Sequence, residues 1–433
     1  MRKLWLSIAV ITLFLTACDK KEILPGKREA ISGIAVNDNL RSAAPIKAGN
    51  ITINSPSKID SYTDIAGNKQ HNSIHYKIDS LNKVLWKTSI GRSPINSNIL
   101  VFGENVYAVD SQGTLVCISE QSGKKLWEKR IAKQPDGAVF SGGMAINNGV
   151  IYIATNIGTI VAIDSKTQKE LWIKSVKYPL HGAPLYVSGK IIASSIENQT
   201  FAIDANNGSI VWTKTFNKEQ TIMEKTGTPA VFGNDIICAC SSGDIISLNI
   251  QNGADNWSDV LVPSNTSDSG VTISHIAMSP LVFGDNVLVA ASESKMVLID
   301  AISGIRIWEQ NIGTLNSPVI NNGWIFILTN DNIVACLSCK DGSIKWKADI
   351  RDICSSLNKK YENREWTGPL IINGEILVFS NAGDVLDIDV STGKLKGQKK
   401  YEIFKGVNTA KVPVIVDGQM FVVTSRGDLC KIG

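Results

Sequence analysis

Along most of the chain, short apolar runs alternate with polar positions and break at tight turns. The stretch SPLVFGDNVLVAASESKMVLID shows the unit. Pro280 opens it, Gly284-Asp285-Asn286 makes a first turn, Ser292-Glu293-Ser294 a second, and Asp300 to Gly304 a third. Val, Ile, Phe and Leu dominate the runs and no segment keeps a helical period, so each unit reads as four short antiparallel strands. The units repeat. Trp86, Trp127, Trp172, Trp212, Trp257, Trp308 and Trp346 recur at intervals of 38 to 51 residues, and six of them close the phrases SGKKLW, TQKELW, NGSIVW, NGADNW, SGIRIW and DGSIKW. Gly stands four residues before Trp in all but the second phrase. Asp or a small polar residue stands eight before it, at Ser119, Asp164, Asp204, Asn249, Asp300 and Ser338. A seventh phrase, Asp389 to Gly393 to Gly397, keeps the spacing and loses the Trp.

A lone four-stranded sheet cannot bury both of its faces. Sheets stacked radially bury each against its neighbours and leave only short edges. Trp supplies a flat surface for that packing, Gly the positive φ of the turn, and Asp a carboxylate that bonds amides two residues on. Units open near Ile95, Met144, Pro184, Pro229, Pro280, Pro318, Pro369 and Pro413. The eighth, PVIVDGQMFVVTSRGDLCKIG, has three strands and no Trp strand, whereas Trp86 lies in a strand with no unit before it. The expectation is an all-β fold over residues 76–433. It is an eight-bladed β-propeller of four-stranded antiparallel blades, closed by an N-terminal strand near residues 82–90 that completes the last blade.

The N-terminus changes the picture of where this fold sits. Arg2 and Lys3 precede an apolar core from Leu4 to Leu15, too short to span a bilayer comfortably, and the run ends Leu15-Thr16-Ala17-Cys18. This resembles a bacterial lipobox. It makes residues 1–17 a signal peptide and Cys18 the lipidated first residue of the mature chain, held at a membrane surface by its acyl chains. Asp19 resembles an inner-membrane retention signal, so both membranes stay open as the anchor's home. Residues 18–75 are polar and weakly patterned and read as a tether, with one short strand possible at Asn50–Ile53.

Composition excludes several function classes. Apolar residues make up 43% and charged residues 19%, a globular balance, and the net charge of +4 comes without a dense basic run, which argues against nucleic acid. The four histidines, His71, His75, His181 and His275, are scattered, and no GxSxG elbow occurs. Beyond Cys18 there are seven cysteines, at 117, 238, 240, 336, 339, 354 and 430. The CxxC at Cys336 and Cys339 lacks a second ligand pair for zinc and does not open a helix, so these cysteines read as small apolar strand residues. No catalytic, cofactor-binding or metal-binding residue is assigned, and no small-molecule substrate is expected.

The DxxxGxxxW phrases resemble the repeat of quinoprotein dehydrogenases, which bind pyrroloquinoline quinone. Such enzymes carry a Ca²⁺ site of Asp, Glu and Asn, a catalytic Asp and often a disulfide between adjacent cysteines. Here Cys238 and Cys240 are separated by Ala239. A PQQ-dependent oxidoreductase is the alternative reading, alongside an inner-membrane lipoprotein with other partners. The lipobox, the polar tether and the eight blades together are similar to the BamB family, the lipoprotein subunits of the outer-membrane β-barrel assembly machine. GIRIWEQNIGTLNSPVINNGWIFILTNDNIVACLS and SGGMAINNGVIYIAT carry the resemblance most strongly. It implies a non-enzymatic scaffold at the periplasmic side of the outer membrane. The implied partner is a BamA-like barrel protein, held through its POTRA domains by loops before the fourth and fifth units. The corresponding segments are Thr221 to Lys225 and Ser274 to Ala277. In place of the family's Leu and Arg stand Met223 and Glu224, and in place of its two Asp stand His275 and Ala277.

Overall fold

The structure is a computed structural model that describes residues 40, 51–92, 98–131, 140, 142–217, 227–261, 276, 278–292, 295–356, 364–405 and 412–433. These residues belong to one compact unit within residues 36–433. Its strands form eight four-stranded antiparallel sheets, and seven of them run in simple sequence order. Blade I holds β2 (Leu100–Phe102), β3 (Asn105–Val109), β4 (Thr114–Ser119) and β5 (Lys125–Arg130). Blade II holds β6 (Gly142–Asn147), β7 (Val150–Thr155), β8 (Thr159–Asp164) and β9 (Glu170–Ser175). Blade III runs from β10 (Leu185–Val187) through β11 (Lys190–Ser194) and β12 (Gln199–Asp204) to β13 (Ile210–Thr215), and blade IV from β14 (Ala230–Phe232) through β15 (Asp235–Ala239) and β16 (Asp244–Asn249) to β17 (Asp255–Val260). Blade V runs from β18 (Leu281–Phe283) to β21 (Arg306–Gln310), and blade VI from β22 (Val319–Asn321) to β25 (Ile344–Asp349). A short helix α1 (Ile350–Ser356) follows. Blade VII holds β26 (Trp366–Ile372), β27 (Glu375–Ser380), β28 (Ala382–Asp389) and β29 (Leu395–Lys405).

Blade VIII contains β30 (Val414–Val416), β31 (Gln419–Val423), β32 (Asp428–Ile432) and, as its outer strand, β1 (Val84–Ser89). The strand around Trp86 thus completes the last blade, with Val84 opposite Ile432 and Ser89 opposite Asp428. Lys431, almost wholly buried at this seam, carries the closure into blade I. Its ammonium lies 2.6 Å from Glu120 Oε1 and donates to the Glu120 carbonyl at 3.1 Å.

First strands of neighbouring blades come together: β2 with β6, β6 with β10, β14 with β18 and β22 with β26. They therefore line the axis, and the Trp strands form the outer rim, with their alternately exposed pattern. Among the described residues, eight apolar clusters fill the crevices between consecutive blades. One joins Leu100 and Tyr107 of blade I to Met144 and Ile151 of blade II, and one joins Phe421 and Leu429 of blade VIII back to Val101 and Val106 of blade I. A cluster in every crevice, the last included, is what a closed ring requires.

The repeated phrases act as their chemistry dictates. Asp164 Oδ1 accepts from the amides of Lys166 and Thr167 at 3.1 and 2.7 Å and from the Thr167 hydroxyl, and these bonds hold its carboxyl below the usual range. Six of the tryptophans reach across a crevice and donate Nε1–H to a turn carbonyl of the next blade. The pairs are Trp86 to Glu120, Trp172 to Ala205, Trp212 to Ile250, Trp257 to Ala301, Trp308 to Cys339 and Trp346 to Val390. The glycine of that turn lies flat on the indole. A Cβ on Gly393, at φ +70°, would come 2.5 Å from the Trp346 ring. In the phrase without glycine, Gln168 itself takes a positive φ of 61°.

One expectation needs correction. The polar run over residues 18–75 is not a free tether throughout, because residues 51–75 pack against the propeller. Ile51, Tyr62 and His75 are buried, and Tyr62 and Tyr76 form bridges to Val101 and Ile372. The physical reason is that the inner strands leave unpaired peptide groups facing the axis, and a polar segment with free amides and carbonyls satisfies them without needing a hydrophobic pattern of its own.

Candidate partner-binding face and the filled axis

The axis comes first, since a propeller's central channel is where an enclosed site would be built. Residues 54–79 occupy it. Tyr62 exchanges both backbone bonds with Val101 of β2, at 2.7 and 2.9 Å. The amides of Ile146, Val231 and Val282 donate to the carbonyls of Thr63, Lys69 and Gln70, reaching blades II, IV and V. The Lys69 ammonium stands 5.3 Å from the Tyr186 ring of blade III. Tyr76 donates to Ile371 and accepts from Asn373 in blade VII, and Asp79 donates to Gly418 in blade VIII. Asn54 donates to Asn321 Oδ1 in blade VI. One segment thus touches every blade.

Its two histidines are structural. His75 uses both ring nitrogens, with Nδ1 on the Asn54 carbonyl and Nε2 accepting from the Gly374 amide at 2.7 Å. His71 Nδ1 donates to the Pro280 carbonyl at 3.1 Å, which fixes the tautomer and leaves Nε2 buried without a partner. Burial lowers its pKa to about 4 against the Pro280 bond, which raises it. The unfolded imidazole, near 6.5, therefore takes up a proton that the folded one refuses, and stability falls as pH drops through that window. Between pH 7 and 4.5 this one group should remove about 2–3 kcal/mol. Urea unfolding at both pH values checks it: His71→Asn, a residue that tolerates the φ of +58°, should lose less stability on acidification than the native chain.

The thiols offer no chemistry of their own. All seven described cysteines are free and six are buried. Burial pushes Cys117 and Cys430 up to about 11 and Cys238 and Cys339 to about 12, so they stay protonated and poorly nucleophilic. Cys238 and Cys240 share one cluster in the III–IV crevice, as residues two apart on a strand must. Among the described residues no group of three His, Cys, Asp or Glu could hold a metal ion.

The candidate contact residues Met223, Glu224, His275 and Ala277, like Cys18, lie outside the described residues. The stems of their loops are described, and the structure brings them together. In a sheet of four antiparallel strands, the first and third turns share one end, and the second turn and the link to the next blade share the other. The links β13–β14 and β17–β18 therefore rise from one face. Thr228 N donates to Ser279 Oγ at 2.9 Å, and a Cβ on Gly227 would meet the Met278 carbonyl at 2.7 Å. Thr228 Oγ1 donates to the Ala183 carbonyl in the preceding link. Ile276 and Met278 are buried on either side of Ala277 and pin the second loop into the core. Residues 51–54 lie on the opposite face, where Asn322 Nδ2 holds the Thr52 carbonyl and hydroxyl and Ser391 Oγ reaches Ile51. The axial segment itself was missed in the sequence. Its one signal is the alternation Ile74, Tyr76, Ile78 inside the polar run.

Comparison with known proteins follows the same lines. The family described as outer membrane protein assembly factor BamB matches residues 70–140 and 111–348. An uncharacterized protein of Rickettsia conorii is 24% identical over 61% of this chain and 64% of its own length; the chain thus spans just under two thirds of that relative. Outer membrane protein assembly factor BamB of Yersinia pestis is 18% identical over 75% of this chain and 81% of its own. Among solved structures, BamB from Moraxella catarrhalis superposes with a TM-score of 0.66 at 16% identity, covering 81% of this chain and 98% of that one. A quinohemoprotein alcohol dehydrogenase from Comamonas testosteroni reaches 0.61 at 12% identity, over 87% and 81%.

Proposed function

The chain belongs to the BamB family of outer membrane protein assembly factors, and from that premise we propose that it is a non-enzymatic scaffold of β-barrel assembly. In this reading Cys18 carries the lipid, and the protein faces the periplasm from the outer membrane. The loops around Met223, Glu224, His275 and Ala277 hold the POTRA domains of a BamA-like barrel protein. The observation that supports it best is the lacing of the two loop stems at Thr228 and Ser279, which holds the bases of two separate loops together on a rigid ring.

The fold likeness to a quinohemoprotein dehydrogenase favours a second reading, a quinone-dependent oxidoreductase. A planar cofactor enclosed by a propeller needs an open axial cavity. Here the peptide groups of Tyr62, Lys69, Gln70 and Tyr76 are bonded to the inner strands in its place. The residues present do not fit such a group.

The scaffold reading has a direct test. Met223→Glu with His275→Glu places two carboxylates on the proposed contact, and desolvating them should weaken co-purification of the barrel protein from envelope extract about tenfold or more. The thermal transition of the purified variant should not move. Undiminished recovery of the partner would remove these loops from the contact.

A further inference from the structure

Two positions of the repeated phrase lie in the third turn of every blade that has it, two and five residues after the opening Asp, Asn or Ser. In blades I to IV, VI and VII the first is Gln, Lys, Asn or Ser and the second is Lys, Ser or Ala. In blade V they are Ile302 and Ile305, 68% and 69% exposed. Ile307, on β21, is 46% exposed, and Val260 of blade IV lies beside them, its carbonyl accepting from Arg306 Nη2 at 2.6 Å. The ring does not need isoleucine at the turn, since the same phrase folds with polar residues there six times. Exposed aliphatic side chains gathered in one place mark a contact surface.

The polar groups of this turn are largely spent within the protein. Asp300 Oδ1 accepts from Ser303 N and Oγ, both at 2.7 Å, and the Asp300 peptide bonds Ile305 and Gly304. Ile305 N donates to Ser303 Oγ, Ala301 N to the Asp285 carbonyl, and Trp257 Nε1 to the Ala301 carbonyl. Such a turn is cheap to remove from water, which a hydrocarbon boundary demands. The Arg306 charge is met by Asp259 and Glu309, and Asp300 and Asp285 leave the turn mildly acidic, which suits neutral rather than anionic headgroups. The chain leading back toward Cys18 is rooted at the same blade. Leu40 is fully buried in the cluster between blades V and VI with Trp308, and its carbonyl accepts from Lys347 Nζ at 2.7 Å. From Leu40 to Cys18 there are 22 residues, a reach of at most about 80 Å.

We propose that the third turn of blade V, with Ile302, Ile305 and Ile307, docks on the neutral-headgroup surface of the membrane that holds the anchor. The proposal rests on the reading of Cys18 as the lipidated residue. Three aliphatic side chains hold a free protein on a bilayer only weakly, as even a single acyl chain does. An anchor on the same chain makes docking an intramolecular event, at an effective concentration of about millimolar. Docking fixes which edge of the ring meets the bilayer, so that a scaffold on a long connection presents its faces in one orientation.

The test uses the mature protein purified from envelope and reconstituted into phosphatidylcholine vesicles. Ile302→Cys carries a nitrobenzoxadiazole label on the new thiol and is compared with Asn206→Cys, the same turn position in blade III; the native chain, with its half-exposed Cys339, gives the background. Nitroxide-labelled phosphatidylcholine in the vesicles should quench the label at position 302 several-fold more than the label at position 206. Adding Ile305→Ser and Ile307→Asn, residue types that blades III and IV carry there as Ser209 and Asn256, should bring the quenching at 302 down to the level at 206 without moving the thermal transition. Equal quenching of the two labels overturns the docking, and does so alone where the protein floats with the vesicles and Cys18 carries its acyl mass. A protein without that mass that fails to float removes the anchor and the docking together. Unquenched label with poorer recovery of the barrel protein by Ile302→Asn gives the turn to a protein partner instead.

Discussion

A chain in which residues 51–80 are deleted should lose its cooperative unfolding transition altogether. The segment supplies the backbone partners of Val101, Ile146, Val231, Val282, Ile371 and Asn373 along the axis. Without it, inner-strand peptide groups of five blades face a narrow channel with nothing fixed to bond. It also removes Ile51, Tyr62, Tyr76 and Ile78 from three inter-blade clusters. Each such side chain contributes about 1.5–3 kcal/mol on burial. Together they approach the whole net stability of a typical domain, about 5–15 kcal/mol. Near-ultraviolet circular dichroism and limited proteolysis read the outcome. A sharp melt within a few degrees of the native chain would show that the propeller stands without its axial segment.

The second large effect belongs to Trp346→Ala, which should cost about 3–5 kcal/mol. For a chain of this size that is a fall of about 4–6 °C in the melting temperature. Trp346 is 4% exposed, donates to the Val390 carbonyl at 2.8 Å, lies under Gly393 and meets Phe326 at a centroid distance of 6.1 Å. Truncation leaves a slot between two rigid sheets that cannot collapse into it. Trp346→Phe keeps most of the packing and strands the carbonyl, so it should lose about a third as much. Differential scanning calorimetry separates the two. Equal loss in both variants would assign the effect to the hydrogen bond rather than to the indole.

The blades were legible because each repeats a phrase whose residues have one physical job. Trp fills the crevice, Gly clears its face, and Asp or Ser ties the turn. The strand at Val84–Ser89 could be placed in the last blade from the arithmetic of a unit lacking its Trp strand and a Trp strand lacking its unit. The axial segment was hidden for the opposite reason. It bonds each blade once or twice through its backbone, at irregular intervals, and backbone bonding leaves no trace in side-chain identity. Thr63, Lys69 and Gln70 would serve as well in a solvated tether. The missing Trp at Gly397 was visible as a gap in the repeat, but the cavity beside it depends on how residues 78–82 lie against blade VII. For the partner contact, the family resemblance locates the loops, and only their stems are described.

The seam where β1 meets β32 also has a bearing on time. A chain synthesised N-terminus first delivers β1 and the axial segment long before the strand they close upon. Lys431 and Glu120, which join this blade to blade I, are separated by 311 residues. Until blade VIII arrives, β1 has no ladder and the axial segment has only part of its ring to bind. Pairings of such long separation are reached slowly, and waiting strands invite mispairing. The order of delivery thus makes the early blades the ones that need shelter, and ring closure the step that ends their exposure.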